Sequence, residues 1–116
     1  MAAERRHEGR DDVQEAFADA VNMTAGELES WLDTEESKSV GQSDGGGESV
    51  GHASGRRIVG LLRKKKADLT GDDLGHMRKV VGYVHRHIEQ RPGGDVTDTR
   101  WRYSLMNWGH DPLKSQ

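Results

Sequence analysis

An apolar stripe between residues 71 and 90 restricts the possible fold more than any other feature of this sequence. Its members recur at the spacing of one helix face, and they are Leu74, Met77, Val80, Val81, Val84 and Ile88. Thr70 precedes the stripe and RPGG follows it, as at the start and end of a helix. Such a helix must bury its stripe against other elements, and no segment alternates as a strand does. The sequence therefore predicts an all-α fold.

Two further helices are predicted in the first third of the chain. Apolar residues at helical spacing indicate helices over about 11–22 and about 25–35. Thr24 with Glu27 three residues later is the signature of a capping box at the start of the second helix. The polar segment 1–10 is expected to be a disordered tail.

The rest of the chain contributes a long loop and two more helices. Gly and Ser residues predict a loop over about 36–54. Ser54 is the expected cap of a helix over about 55–67. A short C-terminal helix is predicted over about 98–107, ending at Gly109. The expected architecture is a small helical bundle of four main helices plus this short one, with a long Gly/Ser-rich loop.

Composition favours one small domain without cysteine chemistry. The chain has 116 residues, of which 32% are hydrophobic, so one modest core is expected, over residues 11–114. The absence of cysteine excludes disulfides, thiol catalysis and cysteine zinc sites. No apolar run approaches the roughly 18 residues of a membrane span, and the N-terminus has no apolar signal-peptide region. We therefore expect a cytoplasmic protein with no membrane partner.

The charges are divided unevenly along the chain. Residues 1–50 carry thirteen acidic and four Lys or Arg residues, whereas residues 51–116 carry seven and thirteen, giving balances of -9 and +6. The basic half could meet a polyanion. The acidic half could equally cover that basic surface, within one chain or between chains.

A run of six cations without an acid lies at residues 56–66, on the third predicted helix. The candidate phosphate contacts are Arg56, Arg57, Arg63, Lys64, Lys65 and Lys66, with Arg78, Lys79 and Arg86 on the next helix as an extension. The alternative is a solvated helix face with lysines near the negative pole of the helix dipole. The two helices, joined by ADLTG, also suggest a helix-turn-helix. No base-reading side chains are identifiable, so binding would be directed mainly to the phosphate backbone.

The histidines and the Gly-rich loop do not form a known reactive motif. His85 and His87 are two residues apart and point to different sides of a helix, and H-E-x-x-H is absent. The loop fits neither nucleotide-binding glycine pattern. Glu48, His52 and Ser54 could be combined into a nucleophilic site, but nothing in the sequence positions them. We predict no catalytic residue, metal site or cofactor, and no enzyme activity.

The three tryptophans have two possible roles. Trp31 shares helical spacing with leucines, and Trp101 and Trp108 fall on one face of the short C-terminal helix. All three are predicted to lie in the core. The alternative for the latter two is a surface on which nucleic-acid bases stack, since Arg and Tyr residues surround them.

Several strings together resemble a known family. They are ESKSVG, DGGGESVGHASGRRIV, LRKKKADLT, HMRKVVGYVHRH and TRWRYSLMNWGHDPLK, and they span about 12–114. The chain resembles a family of small bacterial and fungal proteins catalogued as a domain of unknown function. Members are often labelled DNA-binding protein, and some fungal relatives occur near a small Tudor-like domain. The resemblance implies nucleic-acid binding but assigns no role to any position.

These observations predict a small non-enzymatic protein that binds nucleic acid, with DNA as the favoured partner. The protein would then be cytoplasmic and nucleoid-associated. The alternative is a module for protein–protein interaction or self-assembly, in which acidic and basic halves of different chains meet and the protein forms a homo-oligomer.

Overall fold

The structure is a computed structural model that describes residues 2–40 and 48–114, with side chains described from Asp11 onward. Within these ranges there are six α-helices, one 3-10 turn and no strand. The helices are α1 (Ala2–Ala20), α2 (Ala25–Leu32), α3 (Glu35–Ser39), α4 (Val50–Arg63), α5 (Gly71–Ile88) and α6 (Arg100–Asn107), and the 3-10 turn is Lys66–Asp68. The all-α prediction is therefore confirmed for the described residues.

Local capping signals placed three helix ends correctly. Thr24 and Glu27 form the predicted capping box at α2, with backbone-to-side-chain distances of 2.8 and 3.1 Å. Thr70 caps α5 in the same way. After α6, Gly109 has a φ of 85°. The amides of Gly109 and His110 bond to carbonyls of the last turn, which is a Schellman motif.

The region predicted as a loop over 36–54 is partly helical. The helix predicted over 25–35 ends at Leu32, and Thr34 then caps the separate helix α3. The next helix, α4, starts at Val50, and its cap is Ser49 rather than Ser54. Ser54 points inward and is 4% exposed, because α4 turns this face towards the core. Residues 41–47 of the predicted loop lie outside the described residues.

The other end of α4 also differs from the prediction. The helix stops at Arg63 instead of Ala67, and Lys64 takes an extended conformation. From there the Lys64 ammonium reaches Asp73 at 2.6 Å, and the chain continues through the 3-10 turn to buried Leu69. Tertiary contacts thus end the helix before its local propensity does.

The first helix is longer than predicted. We expected a helix over 11–22, and α1 runs back to Ala2, through the segment 1–10 that we expected to be disordered. Nothing is described of the side chains before Asp11. The division of the chain into a tail over 1–10 and a domain over 11–114 stays a prediction.

Two helix pairs and a crossing helix build the core. α1 packs mainly against α5, and α2 packs mainly against α4. α6 contacts α2, α3, α4 and α5 and joins the two pairs. Its buried Asn107 accepts hydrogen bonds from Trp31 Nε1 (2.8 Å) and Ser37 Oγ (2.5 Å) and donates to the Ser37 carbonyl (3.0 Å). A side-chain amide with these partners fixes α2 and α3 relative to α6.

Candidate nucleic-acid interface

The outer face of α4 is defined here as its exposed cations Arg56, Arg57 and Arg63 together with Lys64, which follows the helix. Two of them are held by acidic residues of the first half of the chain. Arg56 binds Glu48 through Nε and Nη2 at 2.8 and 2.6 Å, and Arg63 binds Glu29 through both terminal nitrogens at 3.1 and 3.2 Å. Each arginine lowers the pKa of its carboxylate partner mainly by hydrogen bonding. The sequence run of positive charge is therefore partly neutralised within the chain.

Asp73 engages the other two cations of the outer face. Its carboxylate accepts from Lys64 Nζ at 2.6 Å and lies 3.6 Å from Arg57 Nη2. It also accepts from the Thr70 amide at the start of α5. The Lys64 hydrogen bond, followed by the Thr70 amide, lowers the pKa of Asp73 to about 2. Asp73 thus connects the C-terminus of α4 to the N-terminus of α5.

Five predicted phosphate contacts have no carboxylate partner within the described ranges. They are Lys65, Lys66, Arg78, Lys79 and Arg86, and all five are exposed. Lys65 and Lys66 follow the end of α4, and the other three lie on α5. We call these five residues the unpaired cations. They are available to an anion without first breaking an ion pair.

Four of the nine predicted residues border three different grooves. Arg78 borders a groove with Asp12 and Val13 of α1. Lys79 and Arg86 border a different cavity, against α4 and α6. Arg56 borders a third cleft, beside α2. An extended polyanion that contacts all four would therefore have to reach three separate grooves.

The geometry of α4 and α5 differs from the predicted helix-turn-helix. We expected a link of about three residues, but residues 64–70 and a 3-10 turn separate the two helices. Each packs mainly on another helix, α4 on α2 and α5 on α1. A helix-turn-helix has a link of three or four residues. The spacing that suggested this motif is absent because α4 ends earlier than its sequence pattern indicated.

A column of stacked rings runs between α5 and α6. The order along it is His76, Trp108, Tyr83, His87 and Trp101, with three rings from α5, one from α6 and one from Trp108, which follows α6. Successive rings lie within 16° of parallel, with centroids 4.2 to 6.4 Å apart. Arg91 covers the far end of the column, 5.4 Å from the centre of the Trp101 ring.

The stacked column decides between the two roles considered for Trp101 and Trp108. Both are buried, with exposed fractions of 8% and 5%, and both pack in the core as predicted. Trp31 is half-buried and packs against the core. Because Trp108 is 5% exposed and its ring stacks on Tyr83, a nucleic-acid base has no open ring face to stack on. The stacking-surface alternative is wrong for this residue.

Two histidines of the column have lowered pKa values. Burial lowers the pKa of His76 and that of His87, since a charged imidazole loses its hydration there. His76 Nε2 lies 3.0 Å from Ser54 Oγ, while His87 Nε2 is buried and has no hydrogen-bond partner among the described residues. No sequence motif identified these histidines, because their environment depends on how α5 meets α6.

Glu48, His52 and Ser54 do not converge on a reactive centre. His52 Nδ1 contacts Glu48, but its Nε2 is 2.7 Å from the Leu32 carbonyl. Ser54 is buried on another side of α4 and pairs with His76. The nucleophile and base of a catalytic site must be within hydrogen-bonding distance. His52 and Ser54 lack this arrangement.

The described ranges contain no group of three His, Asp or Glu side chains that could hold a metal ion. In the same ranges, no helix is both long and apolar enough to cross a membrane. The predictions that the protein needs neither metal nor cofactor stay predictions.

Comparisons with known proteins give a family and no function. No curated protein and no solved structure matches the chain. Residues 16–106 match a family described as protein of unknown function (DUF3140). This match covers most of the chain and includes α2 to α5 and all of α6 except Asn107. The predicted membership of a family of unknown function is confirmed. The chain belongs to the DUF3140 family.

Proposed function

We propose that this protein is a non-enzymatic nucleic-acid-binding protein that contacts phosphates through its unpaired cations. DNA is the first partner to test, and binding is directed to the backbone rather than to base edges. The observation that carries this proposal is the exposure of Lys65, Lys66, Arg78, Lys79 and Arg86, which have no carboxylate partner in the part of the chain that the structure describes. A cation that contacts a phosphate releases a counterion from the nucleic acid, which favours association at low salt.

The paired cations of the outer face of α4 have a secondary role in this proposal. Arg56 and Arg63 are 66% and 53% exposed at the side chain, so a phosphate can reach them. Each must first leave Glu48 or Glu29, whose negative charge then remains beside the phosphate. This local repulsion offsets much of the attraction. The unpaired cations therefore contribute more per residue.

The first test is fluorescence anisotropy with labelled duplex DNA and single-stranded RNA between about 50 and 200 mM salt. Two variants with the same loss of charge separate the two classes of cation. One carries Lys65→Gln, Lys66→Gln and Arg78→Gln, and the other carries Arg56→Gln, Arg57→Gln and Arg63→Gln. If the three replaced cations each contact a phosphate, the negative slope of log K against log salt becomes shallower by about 2.7 in the first variant, at about 0.9 per contact. The paired set changes this slope less.

Two results would contradict this proposal. The first is that the wild-type protein shows no anisotropy change with either nucleic acid at about 50 mM salt. The second is that both triple variants lose the same affinity and slope, which would mean that only net charge matters. A comparison of duplex DNA with RNA of equal length decides between the two nucleic acids.

The second candidate function is self-assembly through opposite charges. Acidic residues without a cation partner in the described ranges are exposed on α1 and α3, and they include Glu15, Asp19, Glu35 and Glu36. These could meet the unpaired cations of another copy. Sedimentation velocity across the same salt range tests this. A salt-sensitive oligomer in a protein with no nucleic-acid affinity supports assembly, and a monomer at every salt concentration excludes it.

A further inference from the structure

A cavity of about 420 Å³ lies where the N-terminus of α4 meets α5 and α6. Gly51 borders it from α4, Tyr83 from α5 and Trp108 from the end of α6. Its volume is within the range of small-molecule sites. Among the described residues that border it there is no Asp or Glu. As far as the structure describes its lining, the cavity is a concave space without negative side chains, in a chain whose net charge is -3.

An indole N–H without an acceptor reaches this cavity. Trp108 is 5% exposed, and its Nε1 lies 3.1 Å from the point that a Cβ on Gly51 would occupy. No hydrogen bond to this nitrogen is found within the described part of the chain. By contrast, the indole nitrogens of Trp31 and Trp101 donate to Asn107 and to the His87 carbonyl. Among the described residues, Trp108 is the one tryptophan whose indole N–H has no acceptor.

The start of α4 adds backbone donors to the same space. Val50 and Gly51 occupy the first two positions of this 14-residue helix, and their amides have no acceptor among the described residues. The next amide, that of His52, is already capped by Ser49. Free amides and the positive pole of the helix dipole together favour an anion.

Two unpaired cations complete the positive lining. Lys79 and Arg86 both border the cavity from α5. They are two helix turns apart, which is about 10.5 Å of helix rise. The aromatic rings between them have their faces in the stacked column, so a ligand meets ring edges, which carry partial positive charge. The charged side chains among the described lining residues are both cations, which favour negative charge.

We propose that this cavity binds a small phosphate monoester. The indole nitrogen, two backbone amides and two cations belong to residues that border the cavity from α4, α5 and the end of α6. A phosphate group offers three terminal oxygens to such donors, whereas a carboxylate offers two. The remaining volume fits a small organic group attached to the phosphate. This site goes beyond the proposed nucleic-acid interface, because Trp108 and Gly51 are not part of that interface.

NMR titration of the indole N–H signals tests the proposal directly. The probes are adenosine 5′-monophosphate, inorganic phosphate and adenosine, and Trp108→Phe identifies the Trp108 signal. We expect the monophosphate and inorganic phosphate to move this signal at millimolar concentrations, while the signals of Trp31 and Trp101 stay in place. No movement with either phosphate, or an equal movement with adenosine, overturns the proposal.

Two glycines of α4 supply a matched pair of variants. Gly51→Ala places a methyl group 3.1 Å from Trp108 Nε1 and covers the donor. Gly60→Ala adds the same methyl group to the same helix, where nothing lies within 4 Å. We expect Gly51→Ala to weaken binding of the monophosphate at least about tenfold, and Gly60→Ala to leave it unchanged. Equal affinity in the two variants would mean that the ligand does not occupy this cavity.

The source of the phosphate and the independence of the two proposals can be measured together. Two oligonucleotides that differ only in a 5′-phosphate or a 5′-hydroxyl are compared once binding of the monophosphate is established. Tighter binding of the phosphorylated oligonucleotide supports capture of a nucleic-acid end. Equal binding of the two supports a free metabolite as the ligand. The variant with Lys65, Lys66 and Arg78 changed to Gln should lose nucleic-acid affinity and keep monophosphate binding. Each proposal can therefore fail without the other.

Discussion

The outer face of α4 and the inner side, where α4 and α5 meet α6, hold their charged and polar groups in opposite ways. On the outer face, Arg56 and Arg63 remain more than half exposed and form ion pairs in water. On the inner side, Asn107 and the ring column are packed against backbone and aromatic atoms. Ion pairs in water contribute little to folding, whereas close packing contributes much. The run of cations at residues 56–66 therefore contributes less to the stability of the fold than the packing around α6 does.

The largest expected effect on stability is on the inner side, at Gly55. A Cβ there would lie 2.5 Å from the Asn107 carbonyl oxygen and 2.7 Å from Leu32 Cδ2. Gly55→Ala should therefore destabilise the protein by about 1–3 kcal/mol through overpacking. Gly60→Ala on the outer side should instead stabilise it by about 0.5–1 kcal/mol. Chemical denaturation of both variants checks this, and equal stabilities would mean that the helices do not approach this closely.

The second expected effect is the acid sensitivity of Asp73. Its pKa is lowered to about 2, below its ordinary value of 3.8, by the Lys64 hydrogen bond and then the Thr70 amide. The contribution of this carboxylate is complete above the ordinary pKa and is lost as the pH falls towards about 2. Asp73→Asn should flatten the fall in unfolding free energy in that window. Denaturation curves from pH 5 to about 2 measure it, and Asp72→Asn, at an exposed neighbour, is the control.

A smaller effect is expected from His87 in the ring column. Burial lowers its pKa below the ordinary value of 6.5. The unfolded state then binds the proton more readily, so stability is complete above about pH 6.5 and falls as the pH drops below it. His87→Phe keeps a stacked ring and should reduce this slope. Denaturation at pH 7.5 and 5.5 measures it, with exposed His85→Gln as the control, and an unchanged slope in His87→Phe would contradict the assignment.

The smallest expected effect on stability is that of the ion pairs on the outer face. Arg56→Gln and Arg63→Gln should each change the denaturation midpoint less than Gly55→Ala does, because both side chains remain solvated. Raising the salt concentration should reduce even this small difference. Denaturation at two salt concentrations checks it. A loss of stability as large as that of Gly55→Ala would mean that the ion pairs of the outer face stabilise the fold as much as the packing of the inner side does.

Features that depend on nearby residues were predictable. The stripe from Leu74 to Ile88 placed α5, and Thr24 and Gly109 marked helix ends, since capping involves groups within a few positions of one another. The start of α4 was misplaced because both Ser49 and Ser54 are suitable caps. Only the inward direction of Ser54 excludes it, and that direction follows from the packing of α4 against α2 and α6.

The candidate site depended more strongly on distant contacts. The run from Arg56 to Lys66 looked uniformly basic, but its partners include Glu29, which is 34 positions from Arg63. Likewise, Gly51 and the edge of Trp108 are far apart in the chain and meet only because α6 crosses α4. No local pattern marks either contact.

By itself, the sequence determined the all-α fold class, the position of α5, several helix caps and the division of charge along the chain. These follow from periodicity, hydrogen bonds between near neighbours and composition. Only the tertiary structure decided which cations are neutralised, which aromatic faces are covered and where an unpaired donor meets a cavity. Those outcomes depend on distances between residues far apart in the chain, which are set by the packing of α6 across the two helix pairs.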